Sequence, residues 1–199
     1  METTSEAEIP SGWKAIKEDL ALYTRVQRAK GPWAQARLVL EAKPLWALAV
    51  YRFGRAAQKA KGPLRRPLQL SYGALFHLVH RLSKVSMPLG VEVEAGVWLG
   101  SAGPIILSPG SRLRAGALLH GGNTLGVGGR PGARGVPHLG RGAVLAPGAA
   151  VIGPIEVPDE AVIGPNTVVT RSLPHGGPWL GSPAKPFDGA AAALLPALW

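Results

Sequence analysis

Two histidines flank the point where the second half of the chain changes its pattern. His120 precedes a glycine-rich segment and His138 follows it. Histidine titrates nearest to neutral pH, so a neutral imidazole here can take the proton of a hydroxyl group, the step that acyl transfer to an alcohol requires. We interpret His120 as the first candidate general base and His138 as the second. The alternative is a structural role for both rings.

The other three histidines are weaker candidates. His77 and His80 fall on a predicted helix among apolar residues, and we interpret them as partly buried structural residues. His175 lies between two prolines and is interpreted as part of a surface turn.

The segment between His120 and His138 is suited to phosphate. It contains Val127–Val136, where glycines expose backbone N–H groups and arginines supply guanidinium groups. We predict cofactor contacts for Gly128, Gly129 and Arg130, and acceptor contacts for Arg134. A solvated surface loop is the alternative.

Asn123 is an amide where the surrounding pattern favours a small apolar residue. A buried amide must be hydrogen-bonded. It either forms a ladder with the adjacent coil, or orients His120 or an acceptor. Both interpretations stay open, and Asn123 is retained as a candidate substrate residue.

Composition limits the classes of function. The 199 residues include no cysteine, which excludes disulfides and thiolate chemistry, and no metal site is expected. The net charge of +10 suits an anionic partner such as a phosphate-bearing cofactor. The N-terminus is polar, and no apolar run reaches the ~20 residues of a membrane span, so a cytoplasmic protein is expected.

Apolar spacing in the first half is helical. Trp13, Ile16, Leu20 and Tyr23 recur at steps of three and four, and Gly-Pro pairs act as breakers. The spacing predicts helices over 13–29, 33–41, 44–60 and 66–84.

After Gly90 the period becomes six, which fits neither a helix nor a single strand. The aliphatic anchors with this spacing are Leu139, Leu145, Val151, Val157, Ile163 and Val169. A hexapeptide repeat predicts triangular coils stacked in parallel, with the anchors inward; a β-sandwich is the alternative. The fold class is therefore a helical domain at 1–89, a β-solenoid at 90–187 and a tail at 188–199.

The repeat breaks twice. The step from Leu125 to Leu139 is 14 residues, which predicts a protruding loop at Val127–Val136. The step from Leu99 to Leu107 is eight, which predicts a small bulge at Gly100–Pro104. Loops that interrupt a regular scaffold commonly carry function.

These features resemble the left-handed β-helix acyltransferases, and specifically the serine acetyltransferase family. The likeness covers nearly the whole chain. The matching segments are Ile16–Leu20, Lys43–Gly54, Gly90–Gly100, His120–Gly126, Leu145–Gly153, Ile163–Thr170 and Leu180–Lys185.

The resemblance implies a homotrimer, or a dimer of trimers, that holds acetyl-CoA as co-substrate in the groove between neighbouring subunits. In the family CoA runs along the late coils at small residues, which correspond here to Gly126, Ala146 and Gly164. Arg171 and Lys185 are then candidates to pair with its phosphates.

The chain also departs from that family. The family's catalytic histidine falls at Ser101, its Arg-His pair at Gly135–Val136, and an acidic-proline pair near Ala29–Lys30. In length the chain matches a shorter branch, typical of acyltransferases from exopolysaccharide clusters. These departures favour an acceptor other than free serine.

Three functions follow. The first is a CoA-dependent O-acyltransferase, most simply an acetyltransferase, acting on a hydroxyl of a sugar, amino acid or other small molecule. The second is a true serine O-acetyltransferase of cysteine biosynthesis with a rebuilt site. The third is a non-catalytic β-helical scaffold.

Other partners have less support from the sequence. Nucleic-acid binding is not favoured, because the basic residues lack interleaved aromatics. Lys59, Lys61, Arg65 and Arg66, followed by the apolar Leu68–Leu82, suggest an anionic membrane surface. A helix packed on its trimer mates is the favoured interpretation of that stretch. The apolar tail, Ala190–Trp199, has no motif that decides between a groove filler and a short helix.

Overall fold

The computed structural model describes residues 12–187 and begins with four α-helices close to the predicted ones. The helices are α1 (Trp13–Val26), α2 (Pro32–Glu41), α3 (Lys43–Lys59) and α4 (Arg65–Ser83). Pro32 and Pro44 lie in first turns, where a missing N–H is harmless. Lys84 ends α4 in the left-handed conformation. The predicted tail at 188–199 lies outside the described residues.

Fifteen short strands follow and form the three faces of a triangular solenoid. Face A contains β1 (Val85–Ser86), β4 (Ile105–Leu107), β7 (Thr124–Gly126), β10 (Ala150–Ile152) and β13 (Val168–Val169). Face B contains β2 (Glu92–Val93), β5 (Arg112–Leu113), β8 (His138–Leu139) and β11 (Glu156–Val157). Face C contains β3 (Trp98–Leu99), β6 (Leu118–Leu119), β9 (Val144–Leu145), β12 (Ala161–Ile163), β14 (Gly177–Leu180) and β15 (Lys185–Pro186).

The predicted anchors form the solenoid core. Each is at most 2% exposed, and the pairing is parallel except between β14 and β15. On face C the register joins Leu119 to Leu145 and Leu145 to Ile163, so equivalent anchors stack from coil to coil. The fold class predicted from the six-residue period is confirmed. The limits at 1–89 and 90–187 stay a prediction, and β1 pairs within face A ahead of Gly90.

A buried polar network joins α1 and α3 to the first coil. The Asp19 carboxylate accepts hydrogen bonds from Gly96 N (2.8 Å) and from Arg52 Nε (3.1 Å). Arg52 also donates to the carbonyl oxygens of Val93 (2.6 Å) and Glu94 (2.7 Å). These side chains satisfy backbone groups that the first coil leaves without a preceding strand.

Two tyrosine hydroxyls complete this network. Tyr23 donates to Leu99 O (2.8 Å) and accepts from Leu99 N (3.0 Å), and Tyr51 donates to Val91 O (2.6 Å). Burial raises the pKa of both phenols, so both remain donors at any physiological pH. We call Asp19, Tyr23, Tyr51 and Arg52 the polar cap.

The outward residues differ sharply between faces. Face B presents charged or titratable side chains in register, namely Glu92, Arg112, His138 and Glu156. Face C presents Trp98, Leu118, Val144, Val162 and Pro178. Face A presents Ile106, Thr124, Ala150 and Val168. Two of the three faces are therefore largely apolar.

Helix α4 packs on α3 with a narrow strip and leaves many side chains uncovered. Among its residues only Val79 and Ser83 are buried. His77 and His80 are exposed, so their interpretation as partly buried residues was wrong, although His80 Nδ1 lies 3.0 Å from Val85 O. No helix within residues 12–187 is long and apolar enough to span a bilayer.

Candidate active site

One column of residues runs along the corner where face C turns into face A. Because Leu119, Leu145 and Ile163 stack in register, the residues that follow them also stack: His120, Ala146 and Gly164. Neighbouring coils are separated by about 4.8 Å. The column therefore holds one imidazole beside two successive small residues, and it brings together three of the sequence-predicted site residues.

His120 is a neutral imidazole in this column. It is half-buried, and its ring centroid lies 4.9 Å from that of Trp98. Burial lowers the pKa of His120 to about 4, because the charged form loses hydration. At pH 7 the ring is therefore able to accept a proton, as a general base must.

The bulge at Gly100–Pro104 lies directly against the His120 corner. A Cβ on Gly100 would collide with the His120 carbonyl oxygen, and one on Gly121 would lie 2.8 Å from Gly103 N. Glycine is required at both positions for this close backbone approach. Ser101, where the family's catalytic histidine would fall, is exposed on the bulge.

Asn123 holds the same corner from the inside. It is fully buried, its Oδ1 accepts from Gly121 N (2.9 Å), and its Nδ2 donates to Ala146 O (2.8 Å). Of the two interpretations left open by the sequence, the ladder with the adjacent coil is the one observed. The amide also fixes the turn that follows His120, so its effect on an acceptor would be through that turn.

The protruding loop is a hairpin. Gly128 and Gly135 exchange two backbone hydrogen bonds of 3.0 and 2.9 Å, and Ala133 N donates to Arg130 O (2.9 Å) in the turn between them. A Cβ on Gly128 would lie 2.8 Å from an Ile152 methyl carbon, so the base of the hairpin packs on the next coil. Gly129, Arg130 and Arg134 are exposed towards the tip.

The remaining predicted cofactor residues are dispersed. Gly126 ends β7 on face A and is half-buried, and Gly164 is buried against the Leu180 side chain. Arg171 and Lys185 are exposed beyond β13 and in β15. Within residues 12–187 the recorded ion pairs include neither of these cations, nor Arg130 and Arg134.

His138 lies on a different face from His120. Its Nδ1 is 2.9 Å from a Glu156 carboxylate oxygen, and in register it stands between Glu156 and Arg112, which itself pairs with Glu92 at 2.7 Å. This ladder borders a groove of about 340 Å³ on face B. Within one subunit the two histidines therefore do not form a pair.

Several contacts of the site were not predicted. The Trp98 ring beside His120 follows from the 20-residue register between their coils plus a two-residue offset, but the bulge obscured that spacing. The Glu156 partner of His138 is one full coil of 18 residues away and was accessible from the period alone. Among the described residues, no group of three His, Asp or Glu side chains is placed to hold a metal ion.

A parallel triangular solenoid with a six-residue repeat, interrupted by one protruding hairpin, is the architecture of the left-handed β-helix class. No family model matches the sequence. A serine acetyltransferase of Helicobacter pylori strain 26695 is 29% identical over 139 residues, covering 70% of this chain and 78% of that protein. A serine acetyltransferase of Mycobacterium tuberculosis is 27% identical over 118 residues, covering 54% and 52%.

Solved structures give the same result for the fold. A Brucella abortus serine acetyltransferase in complex with coenzyme A matches with a TM-score of 0.73 at 19% identity, over 86% of this chain and 66% of that one. A serine acetyltransferase in complex with cysteine matches with a TM-score of 0.70 at 24% identity, over 86% and 68%. Sequence and fold together place this chain in the serine acetyltransferase family of hexapeptide-repeat acyltransferases.

Proposed function

We propose that this protein is a CoA-dependent O-acyltransferase that moves an acetyl group from acetyl-CoA to a hydroxyl of a small acceptor. The observation that carries the proposal is the column of His120, Ala146 and Gly164, in which a neutral base stands beside small residues on consecutive coils. The similarity to serine acetyltransferases, one of them solved with coenzyme A, supports the choice of acyl donor.

The transfer needs a base and a leaving-group acid. His120 takes the hydroxyl proton of the acceptor while the acceptor oxygen attacks the thioester carbonyl carbon. The new C–O bond forms, the C–S bond breaks, and the imidazolium returns its proton to the CoA thiolate. Glycine N–H groups of the hairpin are candidates to stabilise the oxyanion that forms in between.

Charge supports CoA as the donor. CoA carries phosphates, and Arg130, Arg171 and Lys185 are exposed cations that make no ion pair within residues 12–187. We assign Gly126, Gly128, Gly129, Ala146 and Gly164 to close backbone approach of the cofactor.

We propose a homotrimer as the working form. Faces A and C are largely apolar and face B is charged, which suits a subunit that contacts two neighbours through A and C and keeps B in solvent. In such a trimer His120, at the corner between the two apolar faces, lies close to a neighbouring subunit. His138 and Arg134 of that neighbour are then the proposed additional contacts to the acceptor.

The acceptor is proposed to be a sugar or another small alcohol rather than free serine. Where the family places a histidine and an Arg-His pair, this chain has an exposed Ser101 and the Gly135–Val136 end of the hairpin. Serine remains the second candidate, because the relatives with detectable sequence similarity are serine acetyltransferases. A cytoplasmic location is proposed from the same relationship.

The first experiment is a calorimetric titration with acetyl-CoA and CoA. We expect binding in the micromolar range, weakened about tenfold or more when Arg171→Gln and Lys185→Gln remove two charge-assisted contacts. The matched control, Arg25→Gln on α1, should bind normally. No heat at millimolar CoA contradicts the enzyme and leaves a scaffold.

An acceptor screen then separates the two enzymatic candidates. CoA release in the presence of sugars but not serine supports the proposed acceptor, and release with serine alone supports the second. His120→Ala should lower kcat by about 100-fold or more while acetyl-CoA still binds, because a general base contributes about that factor. His77→Ala, an exposed histidine on α4, is the control.

A further inference from the structure

Helix α4 carries an apolar stripe that nothing in residues 12–187 covers. Its members recur at steps of four and three, from Leu64 to Leu82, and extend for about 27 Å along the helix. The exposed leucines are Leu64 (67%), Leu75 (39%), Leu78 (56%) and Leu82 (45%). The buried strip that packs on α3 is a different face, defined by Val79 and Ser83.

The surroundings of this stripe are uniformly cationic. From Ala42 to Val91 the sequence contains nine Lys or Arg residues and no Asp or Glu. Lys61, Arg65, Arg66, Arg81 and Lys84 are exposed, and the recorded ion pairs of residues 12–187 do not include them. Almost the entire net charge of +10 therefore belongs to one quarter of the chain.

Charge decides between the possible occupants of this surface. A second copy of the chain would bring two cationic surfaces together without an acidic residue between them, at an electrostatic cost. An anionic bilayer supplies the missing negative charge through its headgroups and accepts the leucines at the headgroup–acyl boundary. A helix with an apolar face, a Lys/Arg-rich polar face and low mean hydropathy is the form that binds in this way.

We propose that α4 and its flanking turns dock this protein on an anionic lipid surface. The helix lies in the plane of the interface, with the stripe from Leu64 to Leu82 directed at the acyl region. Arg65, Arg66 and Arg81 lie at headgroup level, their stems covering apolar surface. The docking is reversible and does not require the acyl-transfer site.

Flotation of the full-length protein with vesicles tests the proposal. We expect binding to vesicles of 70% phosphatidylcholine and 30% phosphatidylglycerol, loss of binding at high salt, and none to pure phosphatidylcholine. The Leu75→Ser/Leu78→Ser variant should bind about tenfold more weakly or worse, because its apolar contact is reduced. Leu40→Ser, an equally exposed leucine on α2, is the matched control and should bind as the unmodified protein does.

A charge variant keeps the test independent of the leucines. Arg65→Gln/Arg66→Gln should weaken binding about tenfold or more, since each cation near an anionic surface contributes about 1 kcal/mol. Arg25→Gln/Arg28→Gln on α1 and its following turn should not. Circular dichroism and solution mass confirm that each variant keeps its fold and assembly.

Two results would overturn the proposal. One is the absence of binding to the anionic vesicles, and the other is equal binding by the leucine variant and the unmodified protein. If, in addition, Leu75→Ser/Leu78→Ser lowers the mass measured by light scattering, the stripe is an interface between copies of this chain.

Discussion

At the scale of single residues, environment decides what His120 can do. The ring stands beside Trp98 and is partly withdrawn from water, which lowers its pKa to about 4. An imidazole with that pKa is neutral throughout the physiological range and needs no deprotonation before it acts as a base. His138, by contrast, lies beside Glu156 on a charged and solvated face. Two histidines of similar position in the sequence therefore have different chemistry.

The depressed pKa also makes stability depend on pH. The unfolded chain binds a proton at His120 near pH 6.5, whereas the folded chain does so only near pH 4, so folding loses stability as pH falls through that interval. Relative to His120→Gln, the unmodified protein should lose about 1–2 kcal/mol between pH 7.5 and pH 5, the lower value reflecting partial exposure of the ring. Urea unfolding of both proteins at the two pH values measures this. A constant difference would contradict the burial of the ring.

At the scale of elements, glycine explains how closely α3 and α4 approach. A Cβ on Gly54 would lie 2.5 Å from Tyr72 ring atoms and 2.8 Å from a Leu89 methyl carbon. A Cβ on Gly73 of α4 would meet nothing within 4 Å. The same residue type therefore serves close packing in one helix and only weakens the other.

These two glycines predict opposite effects of the same substitution. Gly54→Ala should destabilise the protein by about 1–3 kcal/mol, because Tyr72 and Leu89 must move. Gly73→Ala should stabilise it by about 0.5–1 kcal/mol, because alanine favours the helix. Thermal or urea unfolding of both variants tests this. A shift of the same sign in both would show that the α3–α4 contact is looser than described.

The polar cap is a second feature at this scale. Arg52→Ala leaves the Asp19 carboxylate buried without its guanidinium partner, which should cost about 3–5 kcal/mol. The control Arg55→Ala, which removes one longer hydrogen bond to Leu89 O, should cost about 1 kcal/mol or less. Urea unfolding followed by tryptophan fluorescence checks both values. Equal losses would mean that the cap is not held by this ion pair.

The elements were predictable from the sequence where a period specified them, and not elsewhere. The six-residue spacing identified the anchors from Leu139 to Val169, and the 14-residue step located the hairpin, because each coil repeats one solution to the same packing problem. Spacing did not predict the pairing of Asp19 with Arg52, which lie 33 residues apart in two helices. Nor did it place His120 and His138 on different faces, because the hairpin closes at its base without changing the register on either side.

At the scale of the whole molecule, the faces of the solenoid differ in what they offer to neighbours. Val162 stands in the apolar outward row of face C, and Glu156 in the charged row of face B. If the trimer forms through A and C, Val162→Glu places one carboxylate from each subunit in an apolar contact, which is costly.

Solution mass tests this assembly. Light scattering should give about three times 20.7 kDa for the unmodified protein and for the control Glu156→Gln. Val162→Glu should shift the mass towards one times that value while circular dichroism stays unchanged. A monomeric unmodified protein would remove the basis for a site shared between subunits.

The polar cap has a further consequence at the ends of the stack. A parallel solenoid offers unpaired N–H and C=O groups at both ends, and such edges are templates on which identical coils add indefinitely, as in amyloid. At one end Asp19, Tyr23, Tyr51 and Arg52 occupy those groups with side chains. At the other, β15 runs antiparallel to β14 and includes Pro186, which has no N–H to donate. The protein thus uses a structure able to grow into a fibre and terminates it, within its own sequence, at a fixed number of coils.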